Sequence, residues 1–122
     1  MKLSSPHVEP EEGVAATPDN IAELIPRLVG AEDPFAIVGD SEQTYAQVLW
    51  VGGGFTLEHQ AGSIDQHFRA DRAFTPQEIV DILVAYAAGS PAWSDGIPFA
   101  RVELRSPVAR FLGRVAKTFS AR

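Results

Sequence analysis

Cysteine is absent from the 122-residue chain. Disulfides, thiolate metal sites and cysteine nucleophiles are thereby excluded together. Basic residues are few beside the acids, 10 against 16, giving a net charge of −6 and a pI near 4.9. A protein that grips nucleic acid by neutralising phosphates needs the opposite balance. Long apolar runs are missing too. Residues 79–88 come nearest, but Asp81 interrupts them, and a membrane span needs roughly 18 apolar residues. The first twelve residues place prolines and glutamates where a secretory signal has a continuous apolar stretch. These absences predict a soluble cytoplasmic protein with no nucleic-acid partner, no membrane partner and no cofactor or metal.

What is present is globular. Hydrophobic residues make up 45% and charged residues 21%, which suits one core at this length. Residues 1–16 are polar, Pro/Glu-rich and without period. They predict a flexible acidic tail, with docking conceivable only near Val14. The single domain then spans residues 17–122.

Thr17 and Pro18 read as N-cap and first helical residue, followed by Ile21, Leu24, Ile25 and Leu28 at helical spacing. Pro26 is a flaw in that helix, and Gly30 suits its C-terminal end. Four strand-like segments follow, at 34–38, 44–51, 55–60 and 64–70, separated by turn residues. Thr75-Pro76-Gln77-Glu78 is a capping box opening a second helix with stripe Ile79, Ile82, Leu83 and Tyr86, stopped by Gly89. Residues 99–105 alternate like a strand, and Ser106-Pro107 opens a third helix with apolar Val108, Phe111, Leu112, Val115 and Phe119. The order α-β-β-β-β-α-β-α predicts an α+β two-layer sandwich: an antiparallel meander with helices on one face.

Hairpin register decides which side chains share a face. A two-residue glycine turn pairs Trp50 with Phe55, Val48 with Leu57 and Gln47 with Glu58. A two-residue turn at Gly62-Ser63 would pair Glu58 with His67 and Leu57 with Phe68. One face then carries Val48, Trp50, Phe55, Leu57, Ile64 and Phe68, with His59 also inward. The other carries Tyr45, Gln47, Thr56, Glu58, Gln60, Asp65, His67 and Arg69, and is expected to meet solvent or a partner. Gln47, Glu58 and His67 would form a straight row. A carboxylate beside an imidazole there is an ordinary solvated pair, part of a protein-binding surface, or an acid–base pair.

Other motifs carry less. Ile37-Val38-Gly39-Asp40-Ser41 resembles the start of GDSL-type hydrolases, but no histidine follows His67 to activate Ser41. Gly52-Gly53-Gly54 lacks the Lys-Ser/Thr and helix of a phosphate loop. Glu58, Asp65 and His67 offer metal-type ligands, but a flat sheet gives them no supporting shell. Residues 1–61 hold 10 acids and 2 bases, and residues 62–122 hold 6 acids and 8 bases. The third helix thus has a cationic side (Arg110, Arg114, Lys117), which either stays solvated while the apolar side docks in cis or meets a partner. Trp93 reads as a core plug or an exposed anchor.

The string Thr44-Tyr45-Ala46-Gln47, then Phe55-Thr56-Leu57-Glu58-His59-Gln60-Ala61-Gly62, His67-Phe68, Tyr86-Ala87-Ala88-Gly89 and Trp93 resembles small actinobacterial proteins of unknown function. These are similar to the immunity-like proteins that accompany polymorphic toxins. The likeness covers roughly residues 35–104, and it implies a protein partner. A looser topological likeness to secretion chaperones exists. The leading expectation is a non-enzymatic protein-binding domain, immunity- or chaperone-like, contacting its partner through Tyr45, Gln47, Glu58, His67 and Arg69, with a homodimer as one form of partnership. The alternative is a small hydrolase or ligand-binding enzyme using Glu58 and His67.

Overall fold

The computed structural model describes residues 1–103. They form an α+β fold, a seven-stranded antiparallel open sheet with two helices packed against it. The strands are β1 (Lys2–Ser4), β2 (Val14–Ala15), β3 (Phe35–Gly39), β4 (Thr44–Val51), β5 (Gly54–Ala61), β6 (His67–Ala70) and β7 (Phe99–Arg101), in the spatial order β2-β1-β3-β4-β5-β6-β7. Helix α1 spans Pro18–Leu28 and α2 spans Pro76–Ala87. The third helix expected from residue 106 onward lies outside the described residues, and so does the end of the last predicted strand.

Both described helices start as the sequence dictates. The Thr17 hydroxyl accepts the Asn20 N–H, and Thr75 and Glu78 form a reciprocal capping box, meeting amides that would otherwise lack partners. Pro26 falls in the last turn of α1, so the helix ends two residues later at Leu28 instead of breaking midway. Their apolar stripes bury Ile21, Leu24, Ile25 and Leu28 from α1, and Ile79, Leu83 and Tyr86 from α2. These meet Leu3, Ala36, Val38, Ala46, Val48, Phe55, Leu57 and Ala70 in one core. Burial of such side chains, at about 1.5–3 kcal/mol each, fixes the helix layer on this face of the sheet.

The N-terminal residues depart from expectation. Instead of a free tail there are two short strands, with Leu3 opposite Val38 and Val14 opposite Leu3. Leu3 is fully buried. One apolar residue among polar neighbours leaves no periodic signal, yet its burial ties the segment to the sheet. The element order therefore begins with two strands ahead of the first helix.

The glycine turn sits where expected. Gly52 and Gly53 have φ of 54° and 108°, conformations that glycine adopts without steric cost. Trp50 pairs with Phe55, Val48 with Leu57 and Gln47 with Glu58. The next connection differs. Residues Ile64–Gln66 form a 3₁₀ turn and leave the sheet, with Ile64 exposed, so β6 starts only at His67. Glu58 pairs with Arg69, and Gln60 with His67. The register has moved by two residues from the tight-hairpin expectation. An even shift keeps every β6 side chain on its expected face.

Gly39 closes β3 against Tyr45. A Cβ there would lie 2.7 Å from both the Thr44 carbonyl oxygen and the Tyr45 Cβ, closer than such atoms pack. Gly39→Ala is expected to destabilise the domain by about 1–3 kcal/mol, read as a lowered urea midpoint at unchanged slope. An unaltered midpoint would refute this close approach.

Candidate functional site

The face of the sheet opposite α1 and α2 carries Tyr45 and Gln47 from β4, Glu58 and Gln60 from β5, and His67 and Arg69 from β6. The five residues expected to form a partner surface are thus together. Four of them are closed to solvent, and only Arg69 is partly exposed. Glu58 and His67 are 0% exposed, Gln47 4% and Tyr45 5%. The expectation of a solvated polar face is overturned at Tyr45, Gln47, Glu58, Gln60 and His67. Two further expectations change with the register. The straight cross-strand row is Gln47, Glu58 and Arg69, with His67 one pair further along. Asp65 leaves the face altogether and sits exposed in the 3₁₀ turn, 4.0 Å from Arg101.

His67 nonetheless reaches Glu58, diagonally. Its Nε2 lies 3.0 Å from Glu58 Oε1, and its Nδ1 lies 3.0 Å from Gln60 Oε1. Each ring nitrogen therefore faces an oxygen. Gln60 also accepts from the Tyr45 hydroxyl at 3.4 Å and donates to Gln43 Oε1 at 2.9 Å. Gln43 and Gln60 were outside the expected contact set. Gln60's place two residues from Glu58, on the same strand face, was the available signal. Burial, assisted by the Glu58 charge, pushes the Tyr45 phenol up to about 12, so it remains a hydrogen-bond donor throughout the neutral range.

Alongside this satisfied network lies an unsatisfied one. Both side-chain amide atoms of Gln47, Glu58 Oε2 and Arg69 Nη2 are buried without a hydrogen-bond partner among the described residues. Arg69 Nη2 stands 3.8 Å from Glu58 Oε1, within ion-pair reach but too long for a hydrogen bond. A buried polar group left unpaired costs about 1–3 kcal/mol. Four such atoms along one cross-strand row are an expensive feature for a domain whose net stability is only about 5–15 kcal/mol.

A general base must lie within reach of a substrate proton. The fully buried His67 ring has both nitrogens engaged, and Glu58, with one oxygen unpaired, is itself closed to solvent.

The helix-side face holds an aromatic cluster. His59 stacks on Phe68 with centroids 5.1 Å apart, and meets Trp93 and Phe99 edge-on at 4.9 and 4.7 Å. Trp93 also meets Tyr86 edge-on at 5.0 Å. The core-plug reading of Trp93 is the one the packing supports. Among the described residues no helix is long and apolar enough to cross a membrane. Comparison with protein-family models, curated proteins and solved structures finds no match.

Burial, with a smaller electrostatic contribution from His67, lowers the His59 pKa from 6.5 to about 4. A folded value below the unfolded one means that unfolding takes up a proton between these pH values. The associated stability is complete above about pH 6.5 and is lost as pH falls toward 4. Because the ring is only half-buried, the loss is expected to be about 1–2 kcal/mol. Urea denaturation at pH 7 and 4.5 should show it in wild type and much less in His59→Phe. Equal losses in both proteins would assign the effect elsewhere.

Proposed function

We propose that this chain is a non-enzymatic protein-binding domain, immunity- or chaperone-like, which meets its partner through the sheet face bearing Tyr45, Gln47, Glu58, His67 and Arg69. The observation that carries this reading is the row of unpartnered buried polar atoms at Gln47, Glu58 and Arg69. An apolar side chain at Gln47 would fill the same space without that cost. A partner that supplies the missing hydrogen bonds makes the polar row favourable in the complex. The sequence resemblance to immunity-like proteins points the same way. The net charge of −6 suits a basic partner, such as a nuclease toxin, whose encounter rate rises with complementary charge.

This reading separates stability from binding at one residue. Gln47→Leu removes both orphaned amide atoms at nearly constant volume, so it is expected to stabilise the isolated domain by about 1–2 kcal/mol. The same substitution should weaken partner recovery. The measurement is thermal unfolding of wild type and Gln47→Leu, followed by quantitative affinity capture from native extract with both as bait. Equal recovery of the same proteins by the two baits would discard the sheet-face proposal.

A further inference from the structure

We propose that residues 104–122 of this same chain lie across the second face of the sheet, with the apolar stripe Val108, Phe111, Leu112, Val115 and Phe119 turned inward over Gln47, Glu58 and His67. The proposal names what closes the face in the isolated chain, so it stands apart from the partner reading above and is tested without a partner. A side chain standing up from a bare sheet keeps its outer end in water. Gln47, Glu58, Gln60 and His67 are instead buried, and a single chain suffices to bury them. Helices α1 and α2 lie on the other face, where their stripes share one core with Val48, Phe55 and Leu57. On the second face Phe35, Ile37 and Tyr45 form a separate apolar cluster, to which neither helix contributes.

Three observations select this segment. The first is chemical. Both amide atoms of Gln47, Glu58 Oε2 and Arg69 Nη2 are buried without hydrogen-bond partners among the described residues. A polar cover, or water lying over the face, would bond to some of them. A cover that shuts out water and supplies neither donors nor acceptors presents apolar side chains. The second is supply. The stripes of α1 and α2 are already spent on the core, whereas the stripe from Val108 to Phe119 needs a surface of its own to bury against. The third is reach. Strand β7 pairs with β6 at one edge of the sheet, and the Val102 N–H donates to the His67 carbonyl at 2.8 Å. The described chain thus ends at Glu103, beside one end of the polar face. From β7 to β3 is four strand spacings, about 19 Å. The helix that the sequence predicts over 107–119 would be about 20 Å long. Laid across the strands, it would pass from His67 over Glu58 and Gln47 to the Phe35–Ile37–Tyr45 cluster. Arg110, Arg114 and Lys117 would then point outward to solvent. Contact between a partner and Gln47 would require this segment to move aside.

The test is histidine carbethoxylation by diethylpyrocarbonate in the full-length protein, located by mass spectrometry. Wild type is compared with Phe111→Asp/Val115→Asp, on the apolar stripe, and with Lys117→Asp, on the opposite side. The chain holds three histidines, and the partly exposed His7 serves as the internal reference for the reagent. His67 is expected to react slowly in wild type and in Lys117→Asp, and about tenfold faster or more in the double variant. Equal His67 rates in wild type and the double variant would overturn the proposal. Slow in both, the cover is another part of the chain; fast in both, there is no cover. Protection that fades as wild type is diluted would overturn it too, by assigning the cover to a second copy. Trp50 and Trp93 pack against the helix-side core, so their near-ultraviolet circular dichroism tells opening of the second face from unfolding. If the double aspartate variant loses that signal, Phe111→Ala/Val115→Ala is judged against wild type by the same rates.

Discussion

The pairing of β4 with β5 around Gly52 and Gly53 is the constraint on which the rest of the molecule depends. It sets Trp50 against Phe55 and Val48 against Leu57 on one side, and Gln47 against Glu58 on the other. Side chains alternate across a pleated strand, so a slip of one residue would expose the apolar set to the wrong face and drive the polar set under the helices. The helices then have one place to go. Their stripes cover Val48, Phe55 and Leu57, and β3 and β6 add to a sheet whose two faces are already assigned.

The second face is unusual because, around Gln47, Glu58 and His67, it is polar and closed at once. Burying a carboxylate is costly, and the cost is recovered only when good partners surround it. Glu58 has such a partner on one oxygen, the His67 ring, which is itself held from behind by Gln60. Gln60 is fixed in turn by Gln43 and Tyr45. The chain of contacts leaves each ring nitrogen of His67 occupied. This is a positioning network, and it leaves the imidazole no ring nitrogen to spare.

The sequence made some of this legible and hid the rest for identifiable reasons. The capping box at Thr75 and Glu78 and the proline after Thr17 are local signals, and both helices follow them. The glycine turn and the alternation beside it determine the β4–β5 register. The β5–β6 connection misled because Gly62-Ser63 suits a tight reversal, whereas Ile64–Gln66 wind into a 3₁₀ turn with Ile64 in solvent. Even so, the error was a shift of two residues, and Glu58 and His67 kept their shared face. The N-terminal strands were invisible because two and three residues cannot show a period, and their attachment rests on Leu3. Burial of the polar face was illegible as well. Alternation tells which residues share a face, but it carries no information on whether that face is open.

The polar face divides into two halves with different tasks. Tyr45, Gln60, Gln43 and His67 satisfy one another and converge on Glu58 Oε1. Both amide atoms of Gln47, Arg69 Nη2 and Glu58 Oε2 have no hydrogen-bond partner among the described residues. Glu58 belongs to both halves, with one oxygen in each. Fixing Oε1 through His67 removes the rotational freedom by which the carboxylate could turn its second oxygen toward another partner. The satisfied half therefore holds Oε2 in place beside Gln47, and the ordering entropy of that arrangement is spent during folding. A face organised this way resists relaxation of its own orphaned atoms, which therefore do not collapse onto each other.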